Sequence, residues 1–406
     1  MFDQYRGLRR ELYVLFIGRI MTNLGSMVWP MLTLILTKKL GMNASEAADC
    51  LLVFSVLAIP VSLLGGKLAD RYNKRNIIIV CDIVSVCAYI TCGIIPLTFY
   101  SVILMAVAAL FQSIEWPSYD ALVADLTLPK DRQRAYSLSY LGSNLGLMLT
   151  PTIGGILFNR HLDLAFIING IAILSSTVLI YFLIRNVDRE QSVDDVNEYE
   201  NDLKDGTSAL RLLFSSRTIL VYTLAAILYE TAYHQYSFLM PMDMAVQYGE
   251  YGSVLYGTLS SVNCLCVVVL TSFLTRLLSG VRETRKFTAG ICCVLAGLLI
   301  FRVLIAYPGF IYTAIVVFTV GEIIYTLGAS PFLSRRVAAN YRGRIRSITM
   351  AVSNIIVSLF TKFIGIVYDA SVSGAWTLTY LIAVIGILIS FYTAYLDRKE
   401  YPSLYK

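Results

Sequence analysis

Twelve apolar runs divide the 406-residue chain, each near the ~20 residues that a helix needs to cross about 30 Å of hydrocarbon. Little else constrains a fold so tightly, because backbone groups in lipid must find their hydrogen bonds within the segment that carries them. The runs lie at approximately 11–37, 46–65, 76–97, 99–125, 135–158 and 163–184, then 217–246, 252–278, 287–307, 309–333, 347–368 and 374–396. Charged residues make up only 15% of the chain, against about 25% in soluble proteins. The expected fold is an all-α polytopic membrane protein. The first run is too long for the apolar core of a cleavable signal and has no small-residue cleavage site, so it is expected to stay as span 1.

Basic residues set the expected orientation. With the amino terminus in the cytoplasm, all but six of the 33 lysines and arginines lie in loops and termini on that side. Lys38, Lys39 and Arg160 fall opposite, and Arg19, Arg302 and Lys362 fall within spans. The positive-inside bias therefore predicts a multi-pass protein of the cell membrane with both termini cytoplasmic. The one long polar stretch holds Asp188, Glu190, Asp194, Asp195, Glu198, Glu200, Asp202 and Asp205. It reads as a solvated tether on the cytoplasmic surface. The expected division is a six-helix bundle over 1–184, a linker over 185–216 and a second six-helix bundle over 217–406.

An internal repeat supports that division. Setting Pro30 on Pro241 places Arg19 on Glu230, Asn23 on His234, Arg71 on Arg282, Lys74 on Arg285 and Arg75 on Lys286. One residue less aligns Gln112 with Glu322, Arg132 with Arg342, Arg134 with Arg344, and Ser143-Asn144 with Ser353-Asn354. Two homologous bundles of this kind build a transporter whose site lies near mid-membrane between them.

Several classes are excluded. The net charge of +6 comes from cations scattered through loops, not from a patch suited to nucleic acid. The eight cysteines all fall in apolar runs, in no zinc-ligand spacing, and read as small buried hydrophobes. No nucleotide loop, zinc motif or nucleophile elbow is present, so neither an enzyme nor a self-powered pump is expected, and no cofactor or metal. The expected partners are a small-molecule substrate, protons and the lipid bilayer, with the chain acting as a monomer.

The loop Gly66-Lys67-Leu68-Ala69-Asp70-Arg71-Tyr72-Asn73-Lys74-Arg75 resembles the G-x-L-a-D-r-x-G-r-R loop of the major facilitator superfamily, and it falls between spans 2 and 3 as in that family. The resemblance implies twelve transmembrane helices in two pseudo-symmetric six-helix bundles. It also implies a conformational latch built from Gly66, Asp70, Arg71, Lys74 and Arg75. Asn73 stands where the family has glycine, and asparagine tolerates a left-handed turn there. The second-half echo, Arg282-Glu283-Thr284-Arg285-Lys286, follows Val281 where the aspartate would be. In span 5, Gly142, Gly146, Pro151, Gly154 and Gly155 look like the G-x-x-x-G-P-x-x-G-G motif of drug/proton antiporters, with Thr150 in place of a glycine.

In the family, spans 1, 4, 7 and 10 line the central cavity, and here each carries an ionisable group that is costly to bury alone. The proton-coupling candidates are Glu230, His234 and Arg19, with Arg19 and Glu230 in pseudo-symmetric positions suited to an ion pair. Glu230, His234, Ser237 and Pro241 are expected to share one helical face, as are Arg19, Asn23, Ser26 and Pro30. The substrate-cavity candidates are Glu115, Glu322, Asn23, Tyr229, Tyr233 and Gln112. Glu115 either attracts a cationic cargo or caps a break at Pro117. Asp82 and Arg302 lie on helices that do less of the lining, and Lys362 is expected to face Asp243 or lipid headgroups.

The resulting functional expectation is export of small amphipathic organic compounds in exchange for protons. Symport or facilitated transport of a specific metabolite, nutrient or peptide is the alternative, and a non-transporting receptor on the same scaffold a third.

Overall fold

The computed structural model describes residues 7–127, 132–184, 216–336 and 339–402. The expected tether at 185–216 therefore lies outside the described residues except for Ser216, as do the side chains of Asp70, Arg132, Arg134, Arg342 and Arg344. Among the described residues the chain is helical, with no strand. Its helices are α1 (Arg10–Gly25), α2 (Ala44–Arg71), α3 (Lys74–Ile94), α4 (Phe99–Asp125), α5 (Arg132–Leu147), α6 (Thr150–Phe158) and α7 (Leu162–Leu183). There follow α8 (Arg217–His234), α9 (Leu239–Tyr248), α10 (Tyr251–Leu277), α11 (Glu283–Leu304), α12 (Pro308–Arg336), α13 (Ala339–Ala370) and α14 (Val372–Glu400). Among the described residues, ten stretches of helix are long and apolar enough to cross a membrane.

Spans 1 and 7 are not among those ten, because each is broken. After Gly25 the chain turns and resumes as Leu32–Leu34 and a π-helical turn, Ile35–Lys39. After His234 it turns through 235–238 and resumes as α9. In span 1, Pro30 clashes with the carbonyl four residues earlier, at Ser26, just past the end of α1; in span 7, Pro241 bars helix at Ser237, within the turn that separates α8 from α9. The same rule places the break between α5 and α6, where Pro151 acts on Leu147, the last residue of α5. The expected continuous faces Arg19–Pro30 and Glu230–Pro241 are thus each interrupted. By contrast α4 runs unbroken through Pro117, so Glu115 caps no break there.

The chain divides into two compact units. One comprises Met1–Met42, Val53–Asp195 and Met244–Cys264; the other comprises Asn43–Leu52, Val196–Asp243 and Leu265–Lys406. In the first, α3 packs on α4 and α7, while α1 packs on α7 and α5. In the second, α11 packs on α12 and α14, while α8 packs on α14 and α13. The sequence repeat therefore has a counterpart in packing: α1, α3, α4 and α7 play the parts of α8, α11, α12 and α14.

Side chains between helices fasten the second unit. Asp243 accepts hydrogen bonds from the Tyr368 hydroxyl at 2.9 Å and the Trp376 indole at 2.7 Å, with Arg302 Nε at 3.6 Å. Lys362 pairs instead with Asp49 at 2.5 Å. Asp243 was the wrong partner to expect for it, because shorter donors already occupy that carboxylate. Asp369 accepts from the first backbone amides of α2, Ala44 at 2.8 Å and Ser45 at 2.9 Å, which satisfies donors that a helix start leaves open. None of the eight cysteines is in a disulfide, and Cys87 and Cys292 are exposed instead of buried.

Candidate functional site

In the first unit, α1, α3, α4 and α7 bring charges together inside the bundle. Arg19 is buried, with its guanidinium 3.8 Å from the Tyr119 ring centroid and 4.7 Å from that of Trp116. The Tyr119 hydroxyl donates to the Leu15 carbonyl at 2.7 Å, which holds the ring under the arginine. Glu115 and Asp82 are buried, and both lie within electrostatic reach of Arg19 and of each other. Asp82 accepts a hydrogen bond from Thr177 Oγ1 at 2.7 Å. Asn23 turns its amide back to the Arg19 carbonyl at 2.8 Å and so braces α1. Gln112 lies one turn before Glu115, half-buried.

Asp82 is the residue that sequence reasoning passed over. It was set aside because span 3 does less of the family's lining, yet a lone carboxylate inside an apolar run was itself the signal.

In the second unit the site is aromatic. Tyr229 of α8 stacks on Tyr325 of α12 with centroids 3.4 Å apart. From that pair a ladder of rings runs both ways. In one direction come Tyr233, Phe318 and Tyr236; in the other, Phe287, Tyr222 and Phe332. Glu230 and Glu322 are half-buried and within electrostatic reach of one another, and Tyr233 hydrogen-bonds Glu322. His234, the last residue of α8, is exposed, and its carbonyl accepts from Ser237 Oγ at 3.0 Å. The charged group that acts on Glu230 is therefore a second carboxylate. The sequence placed Glu322 and Tyr233 separately in the cavity and did not join them.

The basic loop is held within its own unit. Lys74 pairs with Asp125. Arg75 donates to the Tyr181 carbonyl at 2.5 Å and lies over the Tyr181 ring; Arg71 lies over the ring of Tyr72. Asp70 ends α2 one residue before its last, and its side chain is outside the described residues. Asn73 has φ −65°, not the expected left-handed value. It is the N-cap of α3, with its side chain facing the Asn76 amide at 3.4 Å, the role for which asparagine is favoured. A Cβ on Gly66 would meet nothing within 4 Å, whereas one on Gly65 would lie 2.8 Å from the Ile114 Cα. The close approach belongs to Gly65.

The echo loop in the second unit has its own ionic clasp. Arg336 bridges Asp397 at 2.5 Å and Glu283 at 3.1 Å, and Arg335 reaches Glu283 at 2.7 Å. Burial works against the charge of Arg336, but its bonds to Asp397 and Glu283 outweigh that and hold its pKa above the usual range. In the repeat Asp125 falls on Arg335, whose partner Glu283 lies two residues before the counterpart of Lys74, so a clasp stands near the same place with its sign reversed.

Of the span 5 glycines, Gly142 and Gly146 lie against α1, Gly154 against the turn that follows it, and Gly155 against the start of α10. A Cβ on Gly142 would lie 2.9 Å from Phe16, one on Gly146 2.6 Å from the Ile20 carbonyl, and one on Gly154 3.0 Å from the Met27 carbonyl. Thr150 Oγ1 lies 3.0 Å and 3.1 Å from the Asn23 and Leu24 carbonyls, where α1 ends, and 2.7 Å from that of Gly146. The residue that departs from the glycine pattern thus caps the broken helix. Pro151 begins α6, and Gly155 accepts a hydrogen bond from Ser253 at 3.2 Å.

Known proteins share this architecture. The chain is 20% identical over 359 residues to a Na(+), Li(+), K(+)/H(+) antiporter of Planococcus maritimus, covering 82% of this chain and 84% of that one. It is 21% identical over 292 residues to multidrug resistance protein 2 of Bacillus subtilis (strain 168), covering 69% and 68%. The crystal structure of a peptide transporter POT in complex with sulfate matches with a TM-score of 0.79 at 13% identity, over 97% of this chain and 95% of that one. At that identity the match is one of fold. The family model described as Major Facilitator Superfamily matches residues 14–361. With helix packing repeated in both units and charges set inside the spans, that match makes the chain a member of the Major Facilitator Superfamily, a membrane transporter and not an enzyme.

Proposed function

We propose that the protein exports small amphipathic organic cations in exchange for protons, by alternating access in the cell membrane. The observation that carries this reading is the pairing of Glu230 with Glu322 beside the Tyr229–Tyr325 stack. Two carboxylates in apolar surroundings resist being charged together, and either a proton or an organic cation relieves that cost. The two therefore compete for one site, which is the thermodynamic basis of exchange. Flat rings beside the carboxylates supply stacking and cation–π contact for an amphipathic cargo.

In this reading residues 1–184 and 217–406 are the two halves that alternate in a monomer. Both termini are cytoplasmic, and Asp70, Arg71, Lys74 and Arg75 latch that side. The relation to multidrug resistance protein 2 supports the choice of cargo.

Proteoliposomes carrying an imposed pH gradient and ethidium test it. The parent extrudes ethidium only while the gradient lasts, and Glu230→Gln and Glu322→Gln remove that response while keeping the fold. Gradient-independent extrusion, or unchanged transport in both variants, would contradict the reading. A second reading, exchange of alkali cations for protons, is favoured by the Planococcus maritimus relative, which aligns over 82% of the chain. The same vesicles loaded with sodium instead of ethidium separate the two.

A further inference from the structure

A second polar cluster lies in the first unit, about two helical turns from the Asp82 cluster. Tyr89 on α3 and Asn169 on α7 are 0% and 1% exposed. The side chains of Trp29, Gln112 and Asn169 face the Tyr89 hydroxyl. Close as these groups are, neither Tyr89 Oη nor either polar atom of Asn169 forms a hydrogen bond of good geometry among the described residues. A buried polar atom left unbonded costs roughly 1–3 kcal/mol, so three together are not retained for packing.

Their position suggests what they serve. Tyr89 and Asp82 are seven residues apart on α3, and Asn169 and Thr177 eight apart on α7, so each pair falls on one helical face about 10–12 Å apart. On α4, Gln112 and Glu115 are one turn apart. The helices α3, α4 and α7 thus each give one group to the outer cluster and one to the inner. Between the two levels lie Ser85 and Ser176, both buried, with the Ser85 hydroxyl 3.3 Å from the Ala108 carbonyl.

We infer that Trp29, Gln112, Tyr89 and Asn169 form the entry limb of a hydrogen-bonded proton path through the interior of the first unit, ending on the Asp82 carboxylate. Water bridging the unpaired hydroxyl and amide carries the proton, since each of those groups both donates and accepts. A hydronium ion gives its proton to the ionised Asp82, leaving water and a neutral carboxylic acid; release returns that proton to water on the other side. The groups facing Asp82 from the packed helices are Thr177 on α7, Glu115 on α4 and Arg19 on α1, with Cys81 beside it on α3. Asp120 acts on Glu115 in turn. The path accounts for a buried Asp82 that the aromatic site of the second unit does not use. It rests on the proton-coupled reading above.

Tyr89→Phe and Asn169→Leu test it, because each removes the polar group and keeps an apolar side chain in its place. A structural role predicts lowered thermal stability and unchanged transport. The path predicts neutral or raised stability together with gradient-driven ethidium efflux slowed at least about tenfold, while ethidium counterflow at equal pH continues at the parental rate. Asn169→Ser, which supplies a hydroxyl able to donate and accept in place of the amide, restores much of the driven rate, and Asp82→Asn loses it. Parental gradient-driven rates in Tyr89→Phe and Asn169→Leu would overturn the inference. A parent that shows counterflow but no response to the gradient would instead overturn the coupling on which it rests.

Discussion

Arg19 illustrates how a charge is kept inside a membrane protein at the scale of one residue. Its guanidinium lies on two rings, and one of those is pinned by a hydroxyl bond to the backbone of the arginine's own helix. Arginine suits the place because a planar cation stacks where a lysine ammonium does not. Replacing Arg19 by Lys should therefore impair transport severalfold although the charge is kept; parental rates would show that charge alone matters. Asp243 makes the contrary case, a carboxylate whose partners are all structural. Asp243→Ala strands an indole N–H and a tyrosine hydroxyl, and should cost about 2–5 kcal/mol. That cost appears as a lower thermal unfolding midpoint of the purified protein, and an unchanged midpoint would count against the bonding described. The charges inside the spans were all legible in the sequence. Their partners were not, because a pairing such as Lys362 with Asp49 joins residues more than 300 positions apart.

At the scale of the helix, the number of spans could be read from apolar length, but their interruptions could not. Pro30, Pro151 and Pro241 each follow a helix that stops four to seven residues upstream, while Pro60, Pro117 and Pro331 sit inside unbroken ones. Proline in a membrane helix is tolerated wherever neighbours satisfy the freed carbonyl, and only tertiary structure shows where they do. Thr150, by supplying a hydroxyl to the carbonyls that end α1, is one such neighbour. The glycine motifs divide in the same way. In span 5 the motif glycines themselves meet neighbouring backbone and side chains, whereas in the basic loop the neighbouring glycine carries the contact. Gly65→Ala should therefore disrupt the packing of α2 on α4, at about 1–3 kcal/mol, and Gly66→Ala should be silent. Thermal unfolding of the two variants decides it, and the reverse ranking would contradict the structure. Gly146→Ala, set against the backbone of Ile20, belongs with the disruptive class.

For the whole molecule, the repeat read from prolines and arginines is visible again in helix packing and in a clasp of reversed sign. Each unit keeps a distinct chemistry on that common frame: an arginine with two carboxylates in the first, and two carboxylates among stacked rings in the second. Duplicated halves that have diverged in this way can divide the work, the first offering a proton path and the second the site where proton and cargo compete. A competition between proton and cation at Glu230 and Glu322 has a definite sign. Lowering the pH protonates the pair and weakens cargo binding, so ethidium affinity should fall as pH falls, and should lose that dependence in the Glu230→Gln, Glu322→Gln double variant. The most direct measurement is proton release from the purified protein in weakly buffered detergent when ethidium is added. Exchange at one site predicts that binding liberates protons, and that the double variant liberates none. Saturating ethidium binding with no change in proton concentration would contradict it.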